Sequence, residues 1–278
     1  KQYNLLILSM IILQKIKEKI FIESSYKNGK NLLPPKYVSL NTTFKCNFKC
    51  RCCSIWKKQT DILTEKKWLE IAQELKKYLP QDSLIEISGG EPLLEKQKIL
   101  RLIKSLKKYF LKVNLNTNGS TINDKSILKL EEAGLDSIKL SLYSTKKETH
   151  NYLRGIDFAY QNAIKAINSI SKSRISLDIG ILITTKNIAD IPKLIILLKN
   201  LNKDLGIILQ PLDEIFESNK SKILKTNQLP KNLWPAKEKV RNFFNWCLLN
   251  KEKIKNSPAH IKAMRLYYLT PEKIIKYR

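Results

Sequence analysis

Glycine, histidine and methionine are scarce in this 278-residue chain, at 8, 2 and 2 residues. With so little glycine overall, the adjacent pair Gly89-Gly90 is not filler. Two histidines, His150 and His260, leave little imidazole for a metal site. Arginine is also sparse, only 7 of the 51 Lys+Arg residues. It is the side chain preferred for bidentate phosphate and base recognition. No apolar run reaches the ~20 residues that a membrane span needs. The N-terminal run from Leu5 to Leu13 is broken by Ser9 and followed by Lys15, Lys17 and Lys19. Its charges come after the run and no small-residue cleavage site follows, so it is not a secretory signal.

What is present fits a folded domain. Hydrophobic residues make up 43% and charged residues 27%, the balance of a globular protein and not of a disordered or fibrous one. The length suits one large domain, or an ordinary domain with an appendage. The formal net charge is +26, which favours anionic partners such as nucleic acid, acidic proteins or an anionic membrane. Lys, Ile and Asn share A/T-rich codons, so genome composition accounts for much of the excess. Nucleic acid is therefore disfavoured as a partner, though charge alone does not remove it.

Residues 4–22 read as an amphipathic helix that packs on the body of the protein, with peripheral membrane contact as the alternative. From residue 37 strands and helices alternate. The strands are expected at Tyr37–Thr43, Leu84–Ser88, Lys112–Asn116, Ser137–Tyr143, Ile175–Ile183 and Gly206–Gln210. The helices between them are expected at Thr64–Leu79, Lys96–Phe110, Asp124–Ala133, Phe158–Ser171 and Ile188–Leu201. Such alternation means βαβ units and a parallel sheet. Six strands suit an α/β fold of the partial (β/α)6 barrel type better than a closed eightfold barrel. A polar stretch from Glu217 to Lys231 reads as a linker, and two helices follow, near Pro235–Lys253 and Pro258–Leu269. The expected organisation is an N-terminal helical segment at 1–35, a core at 36–215 and a helical C-terminal extension at 216–278.

The five cysteines are unevenly placed: Cys46, Cys50, Cys52 and Cys53 lie together, while Cys247 stands far away beside Trp246 and Leu248. A disulfide framework spreads its cysteines, whereas a tight cluster reads as a metal site in a reducing compartment, here the cytoplasm. Cys46, Cys50 and Cys53 form a Cys-x3-Cys-x2-Cys triplet in the loop after the first strand. Three thiolates on one loop can bind three irons of a [4Fe–4S] cluster and leave the fourth iron open. A structural zinc site is the competing reading, but it needs a fourth ligand. Cys52 directly adjoins Cys53, an awkward pair for one tetrahedron. Cys247 reads as a core residue.

Gly89-Gly90-Glu91-Pro92 follows the second strand. Glycines there let backbone approach a ligand closely, and a carboxylate beside them can receive an ammonium group. Asn116-Thr117-Asn118-Gly119 follows the third strand, Ser141 lies near the end of the fourth, and Gln210-Pro211-Leu212 closes the sixth. Each sits at the carboxyl end of a parallel strand, the face where (β/α) proteins build active sites.

In order and spacing, the triplet, Gly89–Pro92 and Asn116–Gly119 resemble radical S-adenosylmethionine enzymes. The likeness is to the branch of molybdenum-cofactor, peptide-modifying and sulfatase-maturing members, and it covers about residues 36–212. Thr43, Asn47 and Trp56 also look like that branch. The resemblance implies that Cys46, Cys50 and Cys53 ligate a [4Fe–4S] cluster whose open iron chelates S-adenosylmethionine. It implies that Glu91, with the backbone around Gly89 and Gly90 and with Pro92, holds the methionine amino group. Asn118 and Ser141 would lie along the ribose and methionine portions, Arg154 would meet the carboxylate, and Gln210–Leu212 would pass the adenine. One electron would split the sulfonium, and the resulting adenosyl radical would take hydrogen from a substrate C–H bond. Reduced flavodoxin or ferredoxin is the implied electron donor.

The sequence also departs from the family. Position 52, commonly aromatic there, is Cys. The turn after the fourth strand reads Ser141-Leu142-Tyr143-Ser144, so substrate contacts do not carry over. His150 is expected to cap a helix or face solvent. The substrate classes are a peptide or protein side chain and a cofactor or lipid precursor. An RNA-modifying radical enzyme, or a zinc-stabilised basic nucleic-acid-binding protein without catalysis, are the alternatives. Because the last two helices cover only part of an open barrel, the chain is expected to continue past Arg278 into a cysteine-containing domain.

Overall fold

The computed structural model describes residue 24 and residues 34–58, 63–212 and 232–271. The expected helix at 4–22 and the polar linker at 217–231 lie outside the described residues. The strands are β1 (Tyr37–Asn41), β2 (Leu84–Ser88), β3 (Lys112–Thr117), β4 (Ser137–Ser141), β5 (Ser176–Leu182) and β6 (Gly206–Gln210). They pair in parallel in the order β1-β2-β3-β4-β5-β6, so β1 and β6 are the two edges of an open six-stranded sheet. This is the partial (β/α)6 arrangement expected from the βα period.

Helix α1 (Glu65–Leu75) starts at Thr64, whose side chain accepts from the Lys67 N–H. It ends at Leu75, before the expected Leu79. Helix α2 (Lys96–Leu106) likewise stops before Phe110, and α3 (Asp124–Glu132) opens on a capping box between Asn123 and Ser126. Helix α4 (Lys147–Arg154) was not expected. Its sequence KETHNYLR carries too few apolar residues to show a helical stripe. Helices α5 (Ala159–Ile170) and α6 (Ile191–Leu201) follow, then α7 (Lys237–Leu249) and α8 (Pro258–Leu269). No helix among the described residues is long and apolar enough to cross a membrane.

Ile85, Ile87, Val113, Leu115, Ile138, Leu140, Ile179, Ile181, Ile207 and Leu209 are buried. They join the helices' apolar faces in one core. Alternate positions carry polar side chains, because successive residues of a strand point to opposite faces. The Glu86 carboxylate accepts from Tyr37 Oη at 2.8 Å, Asn114 Nδ2 at 3.1 Å and Lys139 Nζ at 2.5 Å. Buried charge is tolerated here because it is paired and hydrogen-bonded. Two residues further along β2 and β3, Asn116 Nδ2 donates to Ser88 Oγ at 3.2 Å. These layers build a polar inner wall that rises towards the strands' carboxyl ends.

The terminal helices attach at the β6 edge of the sheet. The Lys255 N–H donates to Ile207 O at 2.8 Å. Asn256 satisfies both backbone groups of Leu209, with Oδ1 accepting at 2.7 Å and Nδ2 donating at 3.1 Å. The segment between α7 and α8 thus covers backbone groups that the β6 edge would otherwise leave unpaired. Tyr268 Oη on α8 donates to Ile183 O at 2.7 Å and accepts from the Leu212 N–H at 2.6 Å. Cys247 is fully buried in the core, as expected.

Candidate active site

The loop after β1 carries the cysteine triplet, and glycines hold it from two sides. Gly90 N–H donates to Thr43 O at 2.7 Å, and Glu91 N–H donates to Lys45 O at 2.8 Å. A β-carbon on Gly89 would overlap Thr43 O, and one on Gly90 would overlap Lys45 O. The close approach that the glycine pair permits is therefore to the cysteine loop itself. On the other side Gly155 ends α4 in the left-handed region, at φ +66°. A β-carbon there would overlap Lys49 O. Arg51 N–H donates to Leu153 O at 3.0 Å, which ties the loop to the same helix end.

Further side chains hold the loop. Trp56 Nε1 donates to Cys53 O at 2.9 Å. Asn118 Nδ2 donates to Asn47 Oδ1, and Asn47 Nδ2 donates to Ser120 Oγ, each at 2.9 Å. Backbone N–H groups of Phe48 and Ile55 donate to the sulfurs of Cys46 and Cys53, each at 3.5 Å. Burial pushes both thiols' pKa values up, against those donors. Burial pushes the Cys52 thiol up to about 12.

The thiols open onto a cavity of about 270 Å³ at the carboxyl ends of the strands. Of the residues singled out in the sequence, Cys46, Cys50, Cys53, Gly89, Gly90, Asn118, Ser141, Arg154 and Gln210 all line it, as does Cys52. Glu91 and Pro92 do not. Glu91 is fully buried, and both its oxygens serve the chain. Oε1 accepts from Leu93 N at 3.1 Å and Thr117 Oγ1 at 2.8 Å, and Oε2 accepts from Asn118 N at 2.7 Å. In this structure the Glu91 carboxylate braces two loops and does not line this cavity.

Phe48, Ile55, Tyr143 and Leu182 also line the cavity and were not identified from sequence as site residues. Leu182 ends β5, the one strand to whose carboxyl end no residue had been assigned. Position at a strand end was the signal available for it. His150, expected to cap a helix or face solvent, is corrected. It is buried on α4, where its Nδ1 accepts from the Tyr143 N–H at 3.1 Å. Burial pushes its pKa down to about 3, with the Arg154 charge adding to the effect.

Arg154 is only 8% exposed and stands in the cavity wall. Its Nη1 donates to Tyr143 Oη at 2.9 Å, and the guanidinium lies 5.2 Å from the Phe48 ring centroid. Its Nε is buried with no partner. Such an orphaned donor is costly unless a ligand meets it. Burial opposes its charge, yet Tyr143 and the thiols of Cys50 and Cys52 hold its pKa above the ordinary arginine value. The cavity thus combines soft thiol ligands, a fixed cation with a spare donor, and polar strand ends. These features fit a thiolate-bound iron–sulfur cluster beside a ligand that carries a carboxylate. Among the described residues no three His, Cys, Asp or Glu side chains converge as a single metal ion requires.

Comparison with known proteins agrees with this chemistry. The family model described as the Radical SAM superfamily matches residues 40–198. A probable GTP 3′,8-cyclase of Saccharolobus islandicus (strain L.S.2.15 / Lassen #1) is 28% identical over 172 residues, covering 60% of this chain and 54% of that protein. The chain therefore spans about half the length of the curated relatives it matches. Among solved structures, Streptococcus suis SuiB bound to S-adenosylmethionine superposes with a TM-score of 0.64 at 16% identity, covering 85% of this chain and 52% of SuiB. Native anSMEcpe with bound AdoMet superposes at 0.59 with 18% identity, covering 77% of this chain and 60% of that one. These likenesses show a shared fold.

Proposed function

Because the chain belongs to the radical SAM superfamily, we propose that residues 36–215 form the catalytic core of an enzyme that reductively cleaves S-adenosylmethionine and abstracts hydrogen from an organic substrate. The superfamily uses a [4Fe–4S] cluster and S-adenosylmethionine, and its members need an external reductant. When bound, the two together supply the one-electron cleavage that ends in attack on an unactivated C–H bond.

The chain's own residues divide the remaining work. Cys46, Cys50 and Cys53 hold the cluster, on a loop seated by Gly89, Gly90 and Gly155. Arg154 takes the S-adenosylmethionine carboxylate through its spare Nε. Asn118, Ser141 and Gln210 lie along the rest of that ligand as cavity walls. The buried packing around Phe48 and Tyr143 limits water beside the thiols. The orphaned Arg154 donor sharing one cavity with the cysteine triplet is the observation that carries this reading. The site suits the cytoplasm, with a flavodoxin or ferredoxin as electron source. Of the substrate classes, a small-molecule precursor is favoured by the likeness to proteins named as probable GTP 3′,8-cyclases.

The test is anaerobic reconstitution followed by iron, sulfide and product analysis. Wild-type protein given dithionite should form methionine and 5′-deoxyadenosine in equal amounts, and Cys46→Ala, Cys50→Ala and Cys53→Ala should not. Cys52→Ala should keep most of the activity. Zinc without acid-labile sulfide in the purified protein would sink the reading.

A further inference from the structure

The cysteine loop reaches the surface as a cationic face. Residues 45–58 contain Lys45, Lys49, Arg51, Lys57 and Lys58, and no Asp or Glu. Lys45, Lys49, Arg51 and Lys57 are exposed, while Cys46, Cys52 and Cys53, interleaved with them along the chain, are half-buried. Several of these cations are held in place over aromatic rings. The Arg51 guanidinium lies 4.3 Å from the Tyr152 centroid, and Lys186 Nζ lies 5.6 Å from the same ring. Lys57 Nζ stands 5.4 Å from the Trp56 ring, whose indole is tied to the Cys53 carbonyl. Lys58 Nζ stands 5.7 Å from Phe44. Lys186 is exposed and follows the carboxyl end of β5, so the face continues from the cysteine loop across α4 to the next strand.

From this arrangement we propose that the face formed by Lys49, Arg51, Lys57 and Lys186 docks a small acidic one-electron carrier protein directly over the thiols. The inference rests on the proposed function for the need of an electron at this site, and adds where and by what chemistry it is delivered. Charge complementarity identifies the partner. An acidic carrier is steered to such a surface and oriented with its redox group towards the cysteines, and the attraction weakens with salt. The ring contacts argue against single-stranded RNA as the occupant. Bases need open aromatic faces on which to stack, whereas Tyr152 and Trp56 already carry cations of this chain. Arg51 has a structural duty as well, since its Nε donates to Tyr152 O at 3.1 Å near the end of α4. That bond leaves the guanidinium exposed and charged, so Arg51 ties the helix end and contributes to the face at once.

The test reverses charge on the face while leaving Arg51 in place. K49E/K57E/K186E is compared with wild type and with K104E/K108E/K112E, which alters exposed lysines at the opposite end of the barrel, on α2, in the turn after it and at the start of β3. Two quantities are measured on reconstituted protein: affinity for an oxidised flavodoxin across a salt series, and the rate of cluster reduction by reduced flavodoxin or by dithionite. The expected result is that the first variant binds flavodoxin about tenfold or more weakly at low salt, with a shallower salt dependence. It should keep wild-type iron content and wild-type reduction by dithionite, and the remote variant should bind as wild type does. Unchanged flavodoxin affinity would overturn the proposal, and so would equal loss in the remote variant. Loss confined to a single-stranded RNA oligonucleotide probe would also overturn it. Failure of wild type to take up iron would sink the proposed function instead, and flavodoxin affinity with the expected charge dependence would still uphold the docking face.

Discussion

Asn118 donates its backbone N–H to Glu91 Oε2 at 2.7 Å, joining the loop after β3 to the loop after β2. Thr117 and Leu93 complete the set of donors on Oε1. An acidic side chain in a turn beside a cavity is thereby turned into a brace beneath the cavity's rim. Burial pushes the Glu91 pKa up, and these donors oppose it, helped by the Arg154 charge.

Glu91→Gln should therefore act on stability first. The amide places N–H donors where the protein already presents donors, leaving buried groups unsatisfied. Urea unfolding of the cluster-free protein should show a loss of about 2–3 kcal/mol. Wild-type stability combined with weakened S-adenosylmethionine binding would return Glu91 to the role of ligand contact.

Gly155→Ala tests the seat of the cysteine loop. Its left-handed φ of +66° costs an L-residue about 1–2 kcal/mol, before any overlap with Lys49 O is relieved. Relief must move the segment carrying Cys50. Iron bound per chain after reconstitution should fall well below wild type while the helical circular dichroism persists. Normal iron uptake would show that the loop adjusts without this contact.

Arg154→Met keeps the aliphatic bulk in the wall and removes the cation. Iron content should stay normal, and S-adenosylmethionine affinity should drop roughly tenfold or more, the worth of a charge-assisted hydrogen bond in a water-poor site. Equal affinity measured by equilibrium dialysis would remove the carboxylate from Arg154.

His150 makes stability depend on pH. Its pKa in the folded chain lies near 3, below the ordinary 6.5. Between those values the unfolded chain binds a proton that the folded chain excludes, so stability falls as pH drops through this window. The slope approaches about 1.4 kcal/mol per pH unit from this group alone. His150→Gln keeps an acceptor for the Tyr143 N–H and should flatten that part of the curve. A wild-type slope in the variant would place the effect elsewhere.

Much of the fold was readable locally. The strands Leu84–Ser88 and Gly206–Gln210 and the helix Pro258–Leu269 fall where their apolar runs and caps put them. Helix α4 was not readable, because KETHNYLR has too few apolar residues to show a stripe, although Leu153 is buried in the main core. The same holds for Lys255 and Asn256, whose pairing with β6 joins residues nearly fifty positions apart.

Local sequence was enough for the cysteine triplet, the parallel βα order and the ring of polar residues at strand ends. Each of these is written within a few neighbouring positions, where spacing and burial period are local properties. Which side chains face the cavity was settled only when distant segments met. Glu91 turns inward because donors 26 and 27 residues away claim it. Arg154 and His150 leave solvent because the cysteine loop and Tyr143 close over α4. A side chain's partner depends on which distant segment arrives beside it, and no local pattern records that.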